Sequence, residues 1–530
     1  MEIELKLCIS PEAVSAFRRH PLLKKLAIAK PYKQQLISTY FDTPDCILMQ
    51  HRAGLRVRQV GNKLIQTLKA GGQVDSGLHQ RNEWESEVHA LAPDLLALRG
   101  MLKPKSAWDK LLSKPAMAEQ LTPLFTTKFQ RNVWLLRLPQ GDEVELVLDQ
   151  GQIQYGADAN VMADMVTPIS EIELELKSGA AAHLFAFALE LQKTIPLRLS
   201  NISKAERGYR LYQLQTVDIT EEVRVEIARA TPLDIADKKT VGQGFQAIIA
   251  NCVAQIQGNE AGLLAGTDPE NVHQMRVGVR RLRSALAIFS GAIPFPAFFA
   301  EECQWLGQHL GVVRDWDVFA GTTLDAHALG APDMPDMPEF QMLRQEALEI
   351  AQTHRTTVID VINSDRYARL LLTLGACAHG AEISLTEDAP VSTQADGSLR
   401  EFASEQLSRH QKKLHKRGKG LRRIDAAQRH RLRIAAKKMR YALDFFESLY
   451  PPKKIAAFAA GLHGLQDALG MLNDASVAGR LLQQCVHARP ECAEVCGYVR
   501  GYSAAENTKT LSGLNKLWKK FKRIAPPFKK

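Results

Sequence analysis

The chain begins MEIELKL, with Glu2, Glu4 and Lys6 at alternate positions, and EIELELK at 171–177 repeats the pattern with Glu171, Glu173, Glu175 and Lys177. In a β-strand, residues i, i+2 and i+4 share a face, so each stretch sets a row of carboxylates and an ammonium opposite a row of apolar side chains. Other runs do the same with cations: Arg56 and Arg58 in LRVR, Thr67 and Lys69 in TLK, Arg81 with Glu83 and Glu85 in RNEWE, and Glu143, Glu145 and Asp149 along EVELVLD. A single charged strand face most simply meets water. Taken together, the opposite faces (Ile3, Leu5, Leu7; Leu55, Val57; Ile172, Leu174, Leu176) ask for an outer packing layer, and a closed sheet with an ionic interior satisfies both sets. Buried charges of both signs need partners to offset desolvation. A phosphate chain bridged by divalent metal would supply them: Arg and Lys neutralise phosphate oxygens, and paired carboxylates hold hard Mg²⁺ or Mn²⁺. No GxxxxGK[ST] loop occurs, which excludes P-loop chemistry.

A second constellation lies far downstream. VHQMRVGVRRLRSAL (272–286) aligns without gaps to RHRLRIAAKKMRYAL (429–443), pairing His273 with His430, Arg276 with Arg433, Arg280 with Lys437 and Arg283 with Arg440. Positions 0, 3, 7 and 10 of an α-helix fall within about 80° of one another, so each stretch presents one His and three cations as a stripe. LGVVRDWDV (310–318) and LGMLNDASV (469–477) form a second matched pair at nearly the same offset, although Arg314 and Asp317 become Asn473 and Ser476. The duplication argues against a merely solvated basic face and for a phosphate-rich ligand. Asp315 and Asp474 are expected to tether the basic helices through ion pairs.

These residues require two kinds of scaffold. Residues 1 to about 210 read as short alternating runs broken by Gly, Pro and Asp turns, with helical patches near 11–28, 93–113 and 180–194, hence an α+β unit dominated by antiparallel strands. After about residue 235 the apolar period becomes three to four, with loops expected at 330–338 and 386–398, hence an all-α duplicated helical bundle. The expected domains are 1–212, a linker at 213–234, and 235–525, whose halves span roughly 235–385 and 398–525.

At this point the motifs carry a resemblance. ExExK at the start, LRVR, TLK, RNE, LDQG, EIELELK and SKAERGYRL (203–211) appear in the order seen in the CYTH superfamily, the triphosphate tunnel metalloenzymes. The resemblance implies an eight-stranded antiparallel β-barrel tunnel with flanking helices, in which Lys6, Arg56, Arg58, Lys69, Arg81, Arg131 and Lys204 contact phosphates. It further implies that Glu171 and Glu173 bind a metal bridging the triphosphate. Glu2 and Glu4, with Glu83, Glu145 or Asp149, would organise a second metal and the attacking water, with Lys6 beside them. The expected activity is hydrolysis of inorganic triphosphate with Mg²⁺ or Mn²⁺; thiamine triphosphate hydrolysis, class IV adenylate cyclase chemistry and a non-enzymatic polyphosphate-binding scaffold are the alternatives. The downstream blocks resemble the CHAD domain, which implies inorganic polyphosphate binding by His273, Arg276, Arg280, Arg283, His430, Arg433, Lys437 and Arg440.

Bulk properties agree with a polyanionic partner. Residues 401–440 hold fourteen Lys and Arg against three Asp and Glu, an excess larger than the +10 of the whole 530-residue chain. Nucleic acid is a secondary reading, because the 409–423 cations are not interleaved with aromatics. Eight cysteines without a CxxC pair point to reduced structural thiols; Cys492 and Cys496 share a helix face but lack zinc-site partners. Charge begins at residue 2 and no apolar run approaches the roughly 18–20 residues of a spanning helix, so neither signal peptide nor membrane anchor is expected, and the location expected is cytoplasmic. His51 and His79 are expected at loops or the surface.

Overall fold

The computed structural model describes residues 1–155, 165–216, 226–266, 268–295, 298–326, 337–381, 395–421 and 425–528. Residues 217–225 of the expected 213–234 linker, 330–336 and 386–394 of the two expected loops, and 422 and 423 of the basic run lie outside the described residues. The chain divides into two compact units, Met1–Arg224 with Ala368–Glu382, and Val225–Tyr367 with Ile383–Lys530.

In the first unit the period-two stretches are strands: β1 (Glu2–Ile9), β2 (Tyr32–Asp42), β3 (Ala53–Val60), β4 (Lys63–Asp75), β5 (Leu78–Val88), β6 (Thr122–Arg137), β7 (Glu143–Tyr155), β8 (Val166–Ser178) and a short β9 (Leu197–Leu199). Their order is β5-β4-β3-β2-β6-β7-β8-β1, β5 pairs back onto β1, and β9 adds to β1 alongside. The result is the expected closed, eight-stranded antiparallel barrel. Closure removes the exposed sheet edges and commits one face of every strand to the interior. The opposite faces meet apolar layers. Leu55, Val57 and Leu68 pack under Leu98, Leu111 and Leu112 of two short helices, whereas Phe125, Phe129 and Ile153, on the same strand faces as Arg131 and Asp149, share a cluster inside the barrel with Tyr209 and Leu211 of the Lys204–Thr216 helix.

That helix is seated very closely. A Cβ on Gly208 would lie 2.0 Å from the Phe125 ring, so only glycine lets the helix backbone reach β6. The ring of Phe125 is held between Tyr40, stacked at 4.7 Å, and Tyr209, edge-on at 5.2 Å. At the far side of this layer Asp42 accepts from Leu48 N at 2.9 Å and from the Tyr209 hydroxyl at 3.0 Å, anchoring the helix to the end of β2.

The second unit is helical. The two basic stretches are the helices Pro269–Phe289 and Ala426–Phe446, capped by Asp268 and Asp425 and packed against each other. Each is preceded by a helix, Val241–Gln257 and Leu399–Arg417, whose N-caps Thr240 and Ser398 bridge to one another. Each is followed by a long helix, Phe298–Val318 and Pro452–Ala488. The internal repeat is therefore a repeat of three-helix order. Cys485, Cys492 and Cys496 lie in a buried apolar cluster.

One expectation about membranes needs correction. Pro452–Ala488 is long and apolar enough to cross a membrane by length and composition, with 39% of its most apolar window buried. Bundle helices rich in Ala and Leu reach the same composition because they pack on more than one side; here Phe458, Leu462 and Leu465 are fully buried.

Candidate active site

Antiparallel register carries the alternating charges around the barrel wall. Lys6 stands opposite Glu173, Asp149 opposite both Glu171 and Arg131, Ser38 opposite Arg58, Tyr40 opposite Arg56, Lys69 opposite Glu83, and Arg81 opposite Glu2. The densest cluster forms where β1, β7 and β8 meet. One oxygen each from Asp149, Glu171 and Glu173 lies within 4.8 Å of the others, and all three residues are buried. Three carboxylate ligands at this spacing suit a hard divalent cation, so the donor set fits the kind of metal that the resemblance implies.

Cations interlock with these carboxylates. Arg131 donates to both Asp149 oxygens at 2.8 and 2.7 Å and to Glu173 at 2.9 Å. The Lys204 ammonium reaches Asp149 at 2.7 Å and Glu173 at 3.0 Å and contacts Glu171, while Lys6 bridges Glu4 at 2.9 Å and Glu173. Burial alone would raise the Glu173 carboxyl, but Lys204, Lys6 and Arg131 together hold it well below the usual range. Glu4, fully buried as well, is drawn down to about 2, chiefly by Lys6 against the opposing pull of burial. Burial lowers and the carboxylates raise Lys6 and Lys204, with a net upward shift, so both stay charged.

On the opposite wall the balance tips to cations. Lys69 binds Glu2 at 2.6 Å and Glu83 at 3.4 Å, and Arg56 lies 3.7 Å from Glu83. Arg58 donates from Nε to Ser38 at 3.1 Å; burial first, then Arg56 and Arg131, pull its guanidinium down to about 9. The Nε of Arg56 is buried without a hydrogen-bond partner. Arg81 faces the helix that follows the barrel, 3.6 Å from Glu206.

The structure thus brings Lys6, Arg56, Arg58, Lys69, Arg81, Arg131 and Lys204 to one interior with Glu2, Glu4, Glu171, Glu173 and Asp149. Within it, Glu2 sits with Lys69, and Glu4 is joined to the carboxylate trio through Lys6, which contacts both Glu4 and Glu173. Glu83 sides with the cationic wall, and Glu145 lies 3.9 Å from Lys177 at the barrel rim. His79 is a correction: it is not at the surface but 1% exposed on β5, opposite Glu4, bonded to Ser200 O at 3.0 Å and pushed down to about 4 by burial and Lys6. Tyr40 and Arg207 also belong to the interior. Burial would raise the Tyr40 phenol, yet Arg56 and Arg58 bring it below its ordinary value. Arg207, which contacts Glu171, sits one helical turn beyond Lys204. That i+3 spacing was a readable signal.

Residues 1–209 match the family model described as the CYTH domain, and residues 247–483 match that described as the CHAD domain. The solved CHAD domain of the plant Ricinus communis is 36% identical with a TM-score of 0.50, covering 57% of this chain and 98% of that one. The chain carries a CYTH domain followed by a CHAD domain. An inorganic triphosphatase of Haemophilus influenzae is 38% identical over 211 residues, 40% of this chain. The chain spans about half, 54%, of that curated relative's length. HpAC1 of Hippeastrum, an adenylyl cyclase candidate with a dominant triphosphatase activity, is 18% identical with a TM-score of 0.28, covering 42% of this chain and 99% of that one.

In the CHAD bundle the two stripes converge unequally. His273, Arg276, Arg280, Arg433 and Lys437 act on one another across the paired helices. Burial first, then Arg280, Arg433 and Arg276, pull the Lys437 ammonium down to about 7. Burial and Arg314 take His273 to about 4. Nε of Arg280 and Arg433 and Nδ1 of His273 are buried without hydrogen-bond partners. Asp315 lies 3.8 Å from Arg276 and is itself raised by burial against the pull of Arg276 and Arg480. Arg440 turns away to Asp444 at 3.4 Å and Gln466 at 3.3 Å, His430 is exposed, and Arg283 lies on the flank beside Lys438. Arg480 was not legible as part of the group because it lies outside both repeated blocks.

Proposed function

We propose that the CYTH barrel hydrolyses inorganic triphosphate to diphosphate and phosphate in a metal-dependent reaction, and that the CHAD bundle binds inorganic polyphosphate. The observation that carries the first half is the closed barrel interior, where seven cations from five strands and one helix surround a buried carboxylate trio. A triphosphate would match that interior: Arg56, Arg58, Lys69 and Arg81 face phosphate oxygens on one wall, with Lys6, Arg131 and Lys204 on the other. Asp149, Glu171 and Glu173 would hold the divalent ion, and Glu2 and Glu4 a second. When bound, such an ion neutralises phosphate charge and lowers the pKa of a coordinated water. The residues' own work is to orient the chain, to exclude bulk water by closure, and to stabilise negative charge on the leaving oxygens through Arg and Lys held in fixed geometry. Thiamine triphosphate and ATP present the same phosphates and remain the competing substrates; the name of the Haemophilus relative favours the inorganic one.

For the bundle, the supporting observation is the convergence of Arg276, Arg280, Arg433 and Lys437 with orphaned guanidinium donors between them. We further propose that the protein works in the cytoplasm, where both anions would be met.

Phosphate release from triphosphate, ATP, thiamine triphosphate and long polyphosphate, with and without Mg²⁺ or Mn²⁺, tests the first reading. Triphosphate should be turned over fastest, chelation should abolish turnover, and Glu4→Gln and Glu173→Gln should each reduce it by on the order of 10² or more. Wild-type rates in those variants would refute the carboxylate roles. Loss of polyphosphate binding in Arg280→Ala plus Lys437→Ala, in the full chain, tests the second reading.

A further inference from the structure

The pseudo-symmetry of the bundle shows a place where the two halves solve the same packing problem with opposite electrostatics. Counting from the paired caps Thr240 and Ser398, Asn251 corresponds to Arg409, Cys252 to His410 and Gln255 to Lys413. Along the basic helices, Arg281 corresponds to Lys438 and Asp444 to Ala287. In the first set everything is paired. The buried Arg281 guanidinium donates to Gln255 Oε1 at 2.9 Å and to Asn251 Oδ1 at 2.6 Å, and lies over the Phe445 ring at 5.5 Å. Asp444 supplies the negative charge that Arg281 and Arg440 need.

In the second set the amide acceptors are cations and the carboxylate is a methyl group. Lys438, half-buried, faces Lys413 and Arg409 across a cavity of about 220 Å³, with His410 in its wall. No carboxylate lines that cavity, and no salt bridge of Arg409, Lys413 or Lys438 occurs among the described residues. The strain shows in the titrating groups: His410 is pushed down to about 4 by burial, then Lys438, Lys413 and Arg409, and Lys438 is lowered by burial, Lys413 and Arg283. Three like charges converging on one concavity raise each other's free energy unless a counter-ion sits among them. A merely solvated basic face would spread its cations outward over the surface. Here Arg409 and Lys413, themselves exposed, border the same cavity as the partly buried Lys438 and His410.

We propose that this cavity, lined by Arg409, His410, Lys413 and Lys438 beside Ala287, is a second anion site that takes a compact phosphate-type dianion, orthophosphate or diphosphate, separate from the convergent stripe of Arg276, Arg280, Arg433 and Lys437. Its volume is below the roughly 300–1,000 Å³ of drug-sized sites, which suits a short phosphate and excludes the body of a long chain. Ser284 and Ser290 also line it, their hydroxyls donated to Arg280 O at 3.0 Å and Ala287 O at 3.3 Å, so the charged groups carry the recognition. The site does not depend on the barrel's activity.

The test uses the full chain and the sister half's own chemistry. Diphosphate and orthophosphate are titrated calorimetrically at fixed ionic strength into wild type, Ala287→Asp, Arg409→Asn plus Lys413→Gln, and an Ala287→Ser control, all in the background of Arg58→Met plus Lys69→Met to weaken the barrel. Ala287 is exposed, so the aspartate adds charge without crowding the core. Both charge-restoring changes should weaken one phosphate-binding event at least tenfold, Ala287→Ser should leave it unchanged, and long-polyphosphate affinity should stay within about twofold. Unchanged phosphate isotherms in Ala287→Asp and in the double variant would overturn the proposal. So would an equal loss of long-polyphosphate affinity, which would make the cavity part of the stripe.

Discussion

At the scale of single residues, the barrel's two walls differ in what the side chains already have. Lys6, Lys204 and Arg131 are neutralised by the buried carboxylates, and removing one member of such a network leaves the others uncompensated. Arg58 is the opposite case. It bonds a serine hydroxyl, and burial with the guanidinium groups of Arg56 and Arg131 outweighs the opposing pull of Tyr40 and Asp149, so holding it charged costs the folded state. For a base whose folded pKa is depressed, that cost is present in full below about 9 and is relieved only as pH rises from there toward the ordinary arginine value. Arg58→Met keeps most of the apolar stem and removes the charge, so it should stabilise the ligand-free protein by roughly 0.5–2 kcal/mol. The same change should lower kcat/KM for triphosphate by tenfold to a hundredfold, the worth of one charge-assisted hydrogen bond of roughly 1.5–3 kcal/mol. Urea denaturation and steady-state kinetics on the same preparation check both signs. A destabilised variant with unimpaired kinetics would mean that Arg58 is structural.

At the scale of elements, the Lys204–Thr216 helix decides whether the carboxylate trio is closed by cations. Its first turn delivers Lys204 and Arg207, and its seat on β6 depends on Gly208 meeting Phe125 without a Cβ. Phe125 cannot yield easily, being held between Tyr40 and Tyr209. Gly208→Ala should therefore tilt the helix away from β6, at a cost of about 1–3 kcal/mol for overpacking, and lower triphosphate turnover at least tenfold, even though Gly208 touches no charge. A thermal melt together with kcat measures both; turnover unchanged in a destabilised protein would separate the helix from the site. Much at this scale was legible in the sequence. Strand parity is a local property, so the inward placement of Lys6, Arg56, Lys69 and Glu173 follows from alternation once the barrel closes. What was not legible depends on contacts far apart in the chain. His79 reads as a loop or surface histidine until β5 pairs with β1, Tyr40 comes to stand opposite Arg56 only when β2 pairs with β3, and the closeness of Lys204 to three carboxylates depends on a helix packed against β6.

At the scale of the whole molecule, the two units handle positive charge in opposite ways. The barrel carries its own counter-charges, so Lys6 and Lys204 are raised by carboxylates and keep their protons into the alkaline range. The bundle's convergent cations have fewer: Lys437 faces Arg280, Arg433 and Arg276, and only Asp474 draws it the other way. The repeat was visible because both basic stripes keep the 0, 3, 7, 10 spacing; which members converge was not, since it depends on how two helices 157 residues apart lean on each other. This difference predicts a divergence with pH. In the free protein Lys437 loses its proton as pH rises through about 7, whereas a bound polyanion raises that pKa and restores the charge. Polyphosphate binding above neutrality should therefore take up close to one proton per site and weaken progressively from pH 6 to 8.5. The Lys6 and Lys204 cations of the barrel do not titrate in that window, so triphosphate affinity should change much less. Calorimetry in buffers of different ionisation enthalpy, at constant ionic strength, reads the proton directly. Lys437→Arg should hold its polyphosphate affinity across the range and bind without proton uptake. Identical proton linkage in wild type and Lys437→Arg would show that another group carries the pH dependence.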